Sequence, residues 1–260
     1  MTGPDRDSRW DFVEFDDEAP AEQAPDSPGF MEETERDRMR TALQQSGVHT
    51  GASLQVLEII GGEGTGPGEF SRPLGSHLDF HGVVYVADGQ DKSVRKISPE
   101  GDVWTYSCAA GDRRTDAEEP YDVSVDSRGM IYILDRGGRI QKVSPDAGYQ
   151  LTFGMPGTRR GQLRFPEGLV LDSQNNVYVA DTWNHRISIY HPKGAFRAVW
   201  RGEGIDGFER PGGVGITRGD EIIVCDTFNH RLVLYNPSGV VMDIIDGYRE
   251  PGWVFRLPVD

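Results

Sequence analysis

At 260 residues with a formal net charge of −15, the chain has room for one large domain or two small ones. It is too acidic to hold nucleic acid or anionic membranes by bulk charge, since that attraction needs an excess of Lys and Arg. Its 33 glycines and 16 prolines suit many turns between short strands and argue against long helices.

The first 50 residues carry 13 acidic and 5 basic side chains and few aliphatics, which predicts an acidic, largely disordered tail over 1–50. Trp10, Phe12, Val13 and Phe15 sit there among Asp11, Glu14, Asp16 and Asp17, an acidic-aromatic island of the kind that docks in a partner's groove. A short helix is expected over 30–45, where Glu32 and Arg36 stand four apart and Gly47 can follow as a C-terminal cap. The N-terminus lacks the basic and apolar regions of a secretory signal, and no run approaches the roughly 18 apolar residues of a membrane span. The cytoplasm is therefore the expected location. Cys108 and Cys225 have no zinc spacing and are expected as small buried residues without a bridge.

From residue 51 onward the chain repeats. Pro73 leads to Asp88, Pro120 to Asp135, Pro166 to Asp181 and Pro211 to Asp226, each pair 15 residues apart. A second proline opens a later turn in each unit, at Pro99, Pro145, Pro192 and Pro237. Every unit of about 46 residues reads as four short strands; in the third these are Leu169–Leu171, Val177–Ala180, Ile187–Tyr190 and Phe196–Trp200. The middle strands are almost continuously apolar, as expected of strands covered on both faces. Repeats of that length and composition predict an all-β fold, a β-propeller over 51–260 with four recognisable blades. Leu54–Ile60 reads as a last strand without a blade before it, and Pro251–Leu257 as a first strand without a blade after it. These ends would complete part of a further blade, pair between chains, or remain exposed edges.

Two turns carry a family resemblance. Asp181-Thr182-Trp183-Asn184-His185-Arg186-Ile187 and Asp226-Thr227-Phe228-Asn229-His230-Arg231-Leu232 resemble the Asn-His-Leu/Ile core of NHL repeats, and the Phe-Pro stretches Gly66–Pro73 and Gly161–Pro166 are similar to the same family. The resemblance covers about residues 54–250. Repeat one has Asp91-Lys92-Ser93 where Asn-His-Arg would stand, and repeat two has a turn one residue shorter, Asp135-Arg136-Gly137-Gly138-Arg139. The resemblance implies a propeller that usually closes with about six blades.

Structural roles are expected for the turn residues Asp88, Asp135, Asp181, Asn184, His185, Arg186, Asp226, Asn229, His230 and Arg231. The aspartates would accept amide bonds, Asn184 and Asn229 would take up positive φ, and Arg186 and Arg231 would lie against the acids. His77 and His81 are too far apart on a strand and its turn to share an ion. NHL-like lyases that dealkylate hydroxyglycine peptides hold zinc through histidines on several inner strands; the matching positions here are His77, Ser124, Val170 and Gly215, which form no histidine ring. Asp79, Asp126 and Asp172, at the ends of first strands, offer oxygens to Ca²⁺ but equally suit hairpin turns. The stretch Gly61–Gly68 lacks the Lys-Ser/Thr of a phosphate loop and reads as a flexible connector. No metal, cofactor or catalytic residue is assigned.

A binding face is the remaining candidate. In an up-and-down blade the connector before the first strand and the turn between the second and third lie on one side. That side would collect Trp183, Phe228, Arg136 and Gln90 from the turns, and Tyr121, Glu167, Arg159, Arg160 and Arg210 from the connectors. The expected function is a non-enzymatic interaction scaffold for a protein or peptide, with no membrane partner. The alternatives are a hydrolase or lyase of a small molecule using the central channel with a divalent metal, and RNA binding by the local patch of Arg159, Arg160 and Arg210.

Overall fold

A computed structural model describes residues 60–108, 119–146, 148–202 and 207–245. The acidic tail, the helix expected over 30–45, the strand expected before Ile60 and the strand expected at Pro251–Leu257 lie outside the described residues, and so does any self-association through those strands. Among the described residues no helix is long and apolar enough to cross a membrane.

The described strands form four antiparallel sheets of four, each in chain order. Blade one holds β1 (Pro73–Leu78), β2 (Val84–Asp88), β3 (Ser93–Ile97) and β4 (Val103–Ser107); blade two holds β5 (Pro120–Val125), β6 (Ile131–Asp135), β7 (Arg139–Val143) and β8 (Tyr149–Phe153). Blade three holds β9 (Gly168–Leu171), β10 (Val177–Asp181), β11 (Arg186–Tyr190) and β12 (Phe196–Trp200); blade four holds β13 (Pro211–Ile216), β14 (Ile222–Asp226), β15 (Arg231–Tyr235) and β16 (Val241–Ile245). The architecture is a β-propeller in which β1, β5, β9 and β13 are the inner strands.

Hairpin pairing explains the 15-residue register. Pro73 stands opposite Asp88, Pro120 opposite Asp135 and Pro211 opposite Asp226, so proline and aspartate are the two ends of one hairpin. At its closed end Asp79, Asp126 and Asp172 each accept two amides of their own turn, for example His81 N–H at 2.8 Å and Val83 N–H at 3.0 Å on Asp79. Their oxygens serve the turns. The later Pro-x-Gly turns put Gly101, Gly194 and Gly239 at φ of 90°, 84° and 81°, a region that a residue with a Cβ enters only with strain.

Among the described residues, side-chain alternation divides the core into three clusters. From β6, Ile131 and Ile133 pack with Tyr85, Ala87 and Val94 of blade one, while Tyr132 and Leu134 pack with Leu169, Val177 and Val179 of blade three. From β10, Tyr178 and Ala180 turn the other way, to Ile222, Val224 and Val233 of blade four. Each fully buried aliphatic or aromatic side chain contributes about 1.5–3 kcal/mol. Both faces of the middle blades are thus covered, which is why β6 and β10 are buried throughout. Blades one and four depart from the expected pattern. None of the three clusters joins blade four to blade one, and β13, β15 and β16 are only half-buried over much of their length. This corrects the expectation for the two cysteines: Cys108 is buried, its thiol pushed up to about 12 by desolvation, but Cys225 is exposed on blade four.

The Gly61–Gly68 stretch is also more ordered than a flexible connector. Phe70 N–H donates to Gly62 O at 2.8 Å and Gly64 N–H to Phe70 O at 3.0 Å, closing a loop with a bridge between Glu63 and Phe70. The connector into blade three repeats it, with a bridge between Pro156 and Leu163.

The inner strands approach closely. Two residues after the leading proline stand Gly75, Asp122, Gly168 and Gly213, and a Cβ on Gly75 would come 2.1 Å from Asp122 Oδ1 and 2.6 Å from its Cα. Gly75→Ala is therefore expected to cost about 1–3 kcal/mol of stability through overpacking. Urea unfolding measures it, and an unchanged midpoint would mean that β1 can withdraw from β5.

Candidate binding face

The face is built on the aspartate that ends each second strand. Asp181 is fully buried and accepts from Arg164 N–H at 2.7 Å, Asn184 Nδ2 at 2.9 Å, Arg186 Nε at 2.7 Å and Ser188 Oγ at 3.2 Å. Asp226 repeats this with Glu209 N–H at 2.7 Å, Asn229 Nδ2 at 2.9 Å and Arg231 Nε at 2.7 Å. The carboxylate thereby clamps the incoming connector to the turn between the second and third strands. Arg186 closes the clamp by donating through Nη2 to the carbonyls of Arg159 and Gln162, both at 2.8 Å.

The left-handed residue of these turns is the histidine, not the asparagine. Thr182–Asn184 and Thr227–Asn229 form one-turn 3₁₀ helices, and His185 and His230 end them at φ 53°. The asparagines instead use their side chains: Asn184 Nδ2 reaches Gly157 O at 3.0 Å and Asn229 Nδ2 reaches Gly207 O at 3.1 Å, besides their bonds to the aspartates. Bonding both the acid and the connector requires a side-chain amide inside the helical turn, which leaves the next residue to reverse the chain.

Blade one reaches the same result by another residue. Ser93 occupies the position of Arg186, and Arg95, two residues later, supplies the guanidinium, with Nη1 at 2.9 Å from Asp88 and Nη2 at 2.8 Å from Asp91. Asp88 also accepts amides from Ser71, Arg72 and Asp91. Burial alone would push its carboxyl up, but those donors and Arg95 outweigh it and hold the group below its ordinary value. In blade two Asp135 accepts from Glu119 N–H and Gly137 N–H, both at 3.1 Å. Arg95 was not among the sequence candidates because it lies outside the motif's own spacing.

On this frame the side chains of turns and connectors form a continuous ladder. Of the residues before the leading prolines (Arg72, Glu119, Phe165, Arg210), Phe165 and Arg210 fall between the turn residues of successive blades, while Arg72 and Glu119 meet each other. Arg72 pairs with Glu119 at 2.8 Å, and Arg136 approaches the same Glu119 oxygen at 3.7 Å. Arg136 lies over Tyr121 at 5.5 Å and Phe165 at 6.0 Å. Phe165 meets Trp183 edge-on at 5.7 Å, and Arg210 lies 4.3 Å from the Trp183 ring and 5.0 Å from the Phe228 ring. Arg164 adds a second guanidinium over Trp183 at 5.6 Å.

Of the expected face residues, Tyr121, Arg136, Trp183, Arg210 and Phe228 are brought together directly. Glu167 lies in the field of Arg136 and Arg210; burial raises its carboxyl above the ordinary value, and the two arginines oppose that rise. Arg159 and Arg160 are exposed on the connector clamped to the Trp183 turn, and Gln90 is exposed in the turn of blade one. Phe165, Arg72 and Glu119 were missed by the sequence reading, although they share the register position of Arg210.

Beside the ladder, between the inner strands, lies a cavity of about 220 Å³. Tyr121, Asp122 and Glu167 supply polar groups, and Leu74 and Val214 apolar ones. Asp122 accepts from Leu169 N–H at 2.8 Å and from Val123 N–H at 2.8 Å, yet burial pushes its carboxyl up to about 7 against those two donors. Asp122 stands where the other three described blades have Gly75, Gly168 and Gly213, a signal present in the aligned repeats. Among the described residues no group of three His, Cys, Asp or Glu side chains is arranged to hold a metal.

Comparisons with known proteins agree on the repeat. Residues 163–190, which include the Asp181 turn, match the family model described as NHL repeat. Over 49 residues the chain is 43% identical to Protein brain tumor of Drosophila melanogaster, covering 19% of this chain and 5% of that one. Over 107 residues it is 31% identical to NHL repeat-containing protein 3 of Homo sapiens, covering 38% and 31%. Among solved structures, a streptogramin B lyase superposes with a TM-score of 0.54 at 15% identity, over 67% of this chain and 54% of that one. The virginiamycin B lyase of Staphylococcus aureus gives 0.53 at 14% identity, over 66% and 55%. At these identities the structural likenesses speak for the fold alone, and the chain spans less than two thirds of each of these proteins.

Proposed function

We propose that this propeller of four described blades, whose residues 163–190 match the NHL repeat, is a non-enzymatic module that binds a protein or peptide across the face carrying Trp183, Arg210, Phe228, Arg136 and Tyr121. The observation that carries this reading is the ladder itself. Aromatic rings and guanidinium groups on one face, set by buried clamps, supply the residue types and the rigidity of interface anchors. Phe228 is 56% exposed, and so large an exposed ring beside an arginine offers apolar area to a partner. RNA is less well supported, because Glu119, Glu167 and Glu209 stand among the arginines of the face.

Selection of 12-residue peptides from a displayed library tests the proposal. Trp183→Ala and Phe228→Ala are each expected to weaken the selected peptides about 30-fold, the effect of losing an interface anchor worth roughly 2 kcal/mol. Binding that survives both substitutions together in a folded protein would sink the reading.

A channel enzyme is the second reading. The cavity at Asp122 favours it, since a carboxyl titrating near neutrality suits proton transfer. Full retention of peptide binding in Asp122→Asn is expected if the face, and not the cavity, is the site.

A further inference from the structure

We infer that Arg210 is a carboxylate receptor on this face, so that the bound partner is an acidic peptide; the inference rests on the face reading above. Two observations on Arg210 converge, and its backbone places it for both. Its guanidinium lies between two rings, Trp183 at 4.3 Å and Phe228 at 5.0 Å, which come from the turns of adjacent blades. Two rings at these distances hold the guanidinium in place without supplying an acceptor for its N–H groups. Its Nε is buried without an acceptor, and among the described residues no carboxylate lies within ion-pair distance of it. Its backbone holds φ 46° immediately before Pro211, as Phe165 holds φ 44° before Pro166, so the connector geometry of the repeat sets where this side chain starts. Such strain persists where the surroundings over-determine it, and here the Arg210 amide is held by His185 Nδ1 at 3.3 Å.

Other arginines of the molecule show what this one lacks. Arg95, Arg186 and Arg231 each meet a buried aspartate within 2.9 Å, and Arg72 meets Glu119 at 2.8 Å. Arg210 has the stacking without the acid. A guanidinium held against two rings and without an acid partner matches a carboxylate bidentately and loses little side-chain freedom on binding. A single carboxylate also fits the surroundings better than a phosphodiester chain. Glu209 precedes Arg210 and lies 3.5 Å from His185, and Glu167 shares the field of Arg210, so a run of phosphates would meet these acids.

The experiment uses peptides selected on the full-length protein and remade in three forms: unchanged, with each Asp and Glu changed singly to Asn and Gln, and with an amidated C-terminus. Their affinities are measured on the wild type, on Arg210→Lys, which keeps the charge but not the fork, and on Arg210→Asn, which suits a left-handed backbone. The inference expects a loss of at least tenfold in Arg210→Lys and in one acid-to-amide peptide, with the two losses not adding when combined. If the sensitive group is an internal acid, the receptor reads a side chain; if it is the C-terminal amide form that fails, the receptor reads a chain end. Peptides that bind Arg210→Lys and Arg210→Asn as tightly as the wild type, yet lose affinity on Trp183→Ala, would overturn the carboxylate assignment and leave the face reading standing. A library that yields no binder overturns both. Tighter binding of a 12-residue oligouridylate than of any selected peptide overturns the assignment in favour of phosphate.

Discussion

Asp181→Ala is expected to lower the free energy of unfolding by about 3–5 kcal/mol, the range seen when one member of a buried ion pair is removed. The size follows from what remains. Arg186, 2% exposed, keeps its charge in the interior and loses the carboxylate 2.7 Å from its Nε. Arg164 N–H, Asn184 Nδ2 and Ser188 Oγ lose an acceptor at the same moment, each with a desolvation cost. Asp226→Ala is the internal control: Arg231, 19% exposed, can turn to water, so the loss there should be smaller. Urea unfolding of both variants measures the difference. A loss below about 1 kcal/mol at Asp181 would mean that Arg186 is satisfied by the carbonyls of Arg159 and Gln162 alone.

Asp122→Asn is expected to act in the opposite sense at pH 8, raising stability by an amount on the order of 2 kcal/mol, and to lower it by about 1–3 kcal/mol at pH 3, where only the lost acceptor remains. The folded carboxyl titrates near 7, whereas its ordinary value is 3.8. Well below 3.8, near pH 3 and lower, both folded and unfolded chains hold the proton, and the residue adds no pH-dependent term. Between about pH 4 and pH 7 the unfolded chain releases the proton first, so the wild type loses stability as the pH rises. Above 7 the charged carboxylate is buried without a cation. Asparagine carries no charge and keeps one oxygen for Leu169 N–H, though it gives up the second acceptor, which is why the gain falls short of the full linkage energy. Asp88, whose carboxyl is held low, contributes stability that is lost on acidification. Comparing variant with wild type at each pH cancels that term. Equal stability of the two proteins at pH 8 would show that Asp122 is not charged in the folded state there.

Both expectations concern residues whose importance is unequally visible in the repeats. Asp181 and Arg186 stand in the motif at fixed spacing, so the clamp could be anticipated from the turn alone. Asp122 had a signal, a carboxylate where three other units have glycine, but its effect depends on the approach of β1 and β9, which no single repeat contains. The ladder shows the same limit. Trp183, Phe228, Arg136 and Arg210 were legible as one side of the blades, because hairpin geometry sends turns and connectors there. That Arg210 would lie between the rings of two different blades was not legible, since it depends on the rotation from one blade to the next.

What the sequence by itself determined was the unit. The Pro-to-Asp register, the almost continuously apolar middle strands and the Asp-x-x-Asn-His-Arg turns specify a four-stranded hairpin stack, because these are short-range constraints met within about 46 residues. What only the tertiary structure decided was how units meet. It assigned alternate side chains of β6 and β10 to opposite clusters, replaced an absent motif arginine with Arg95, and left β13, β15 and β16, which supply one face to the third cluster, half-buried over much of their length. The physical reason is range: hydrogen bonds of a hairpin are written between residues near in the chain, whereas burial, stacking and desolvation depend on neighbours some 46 residues away.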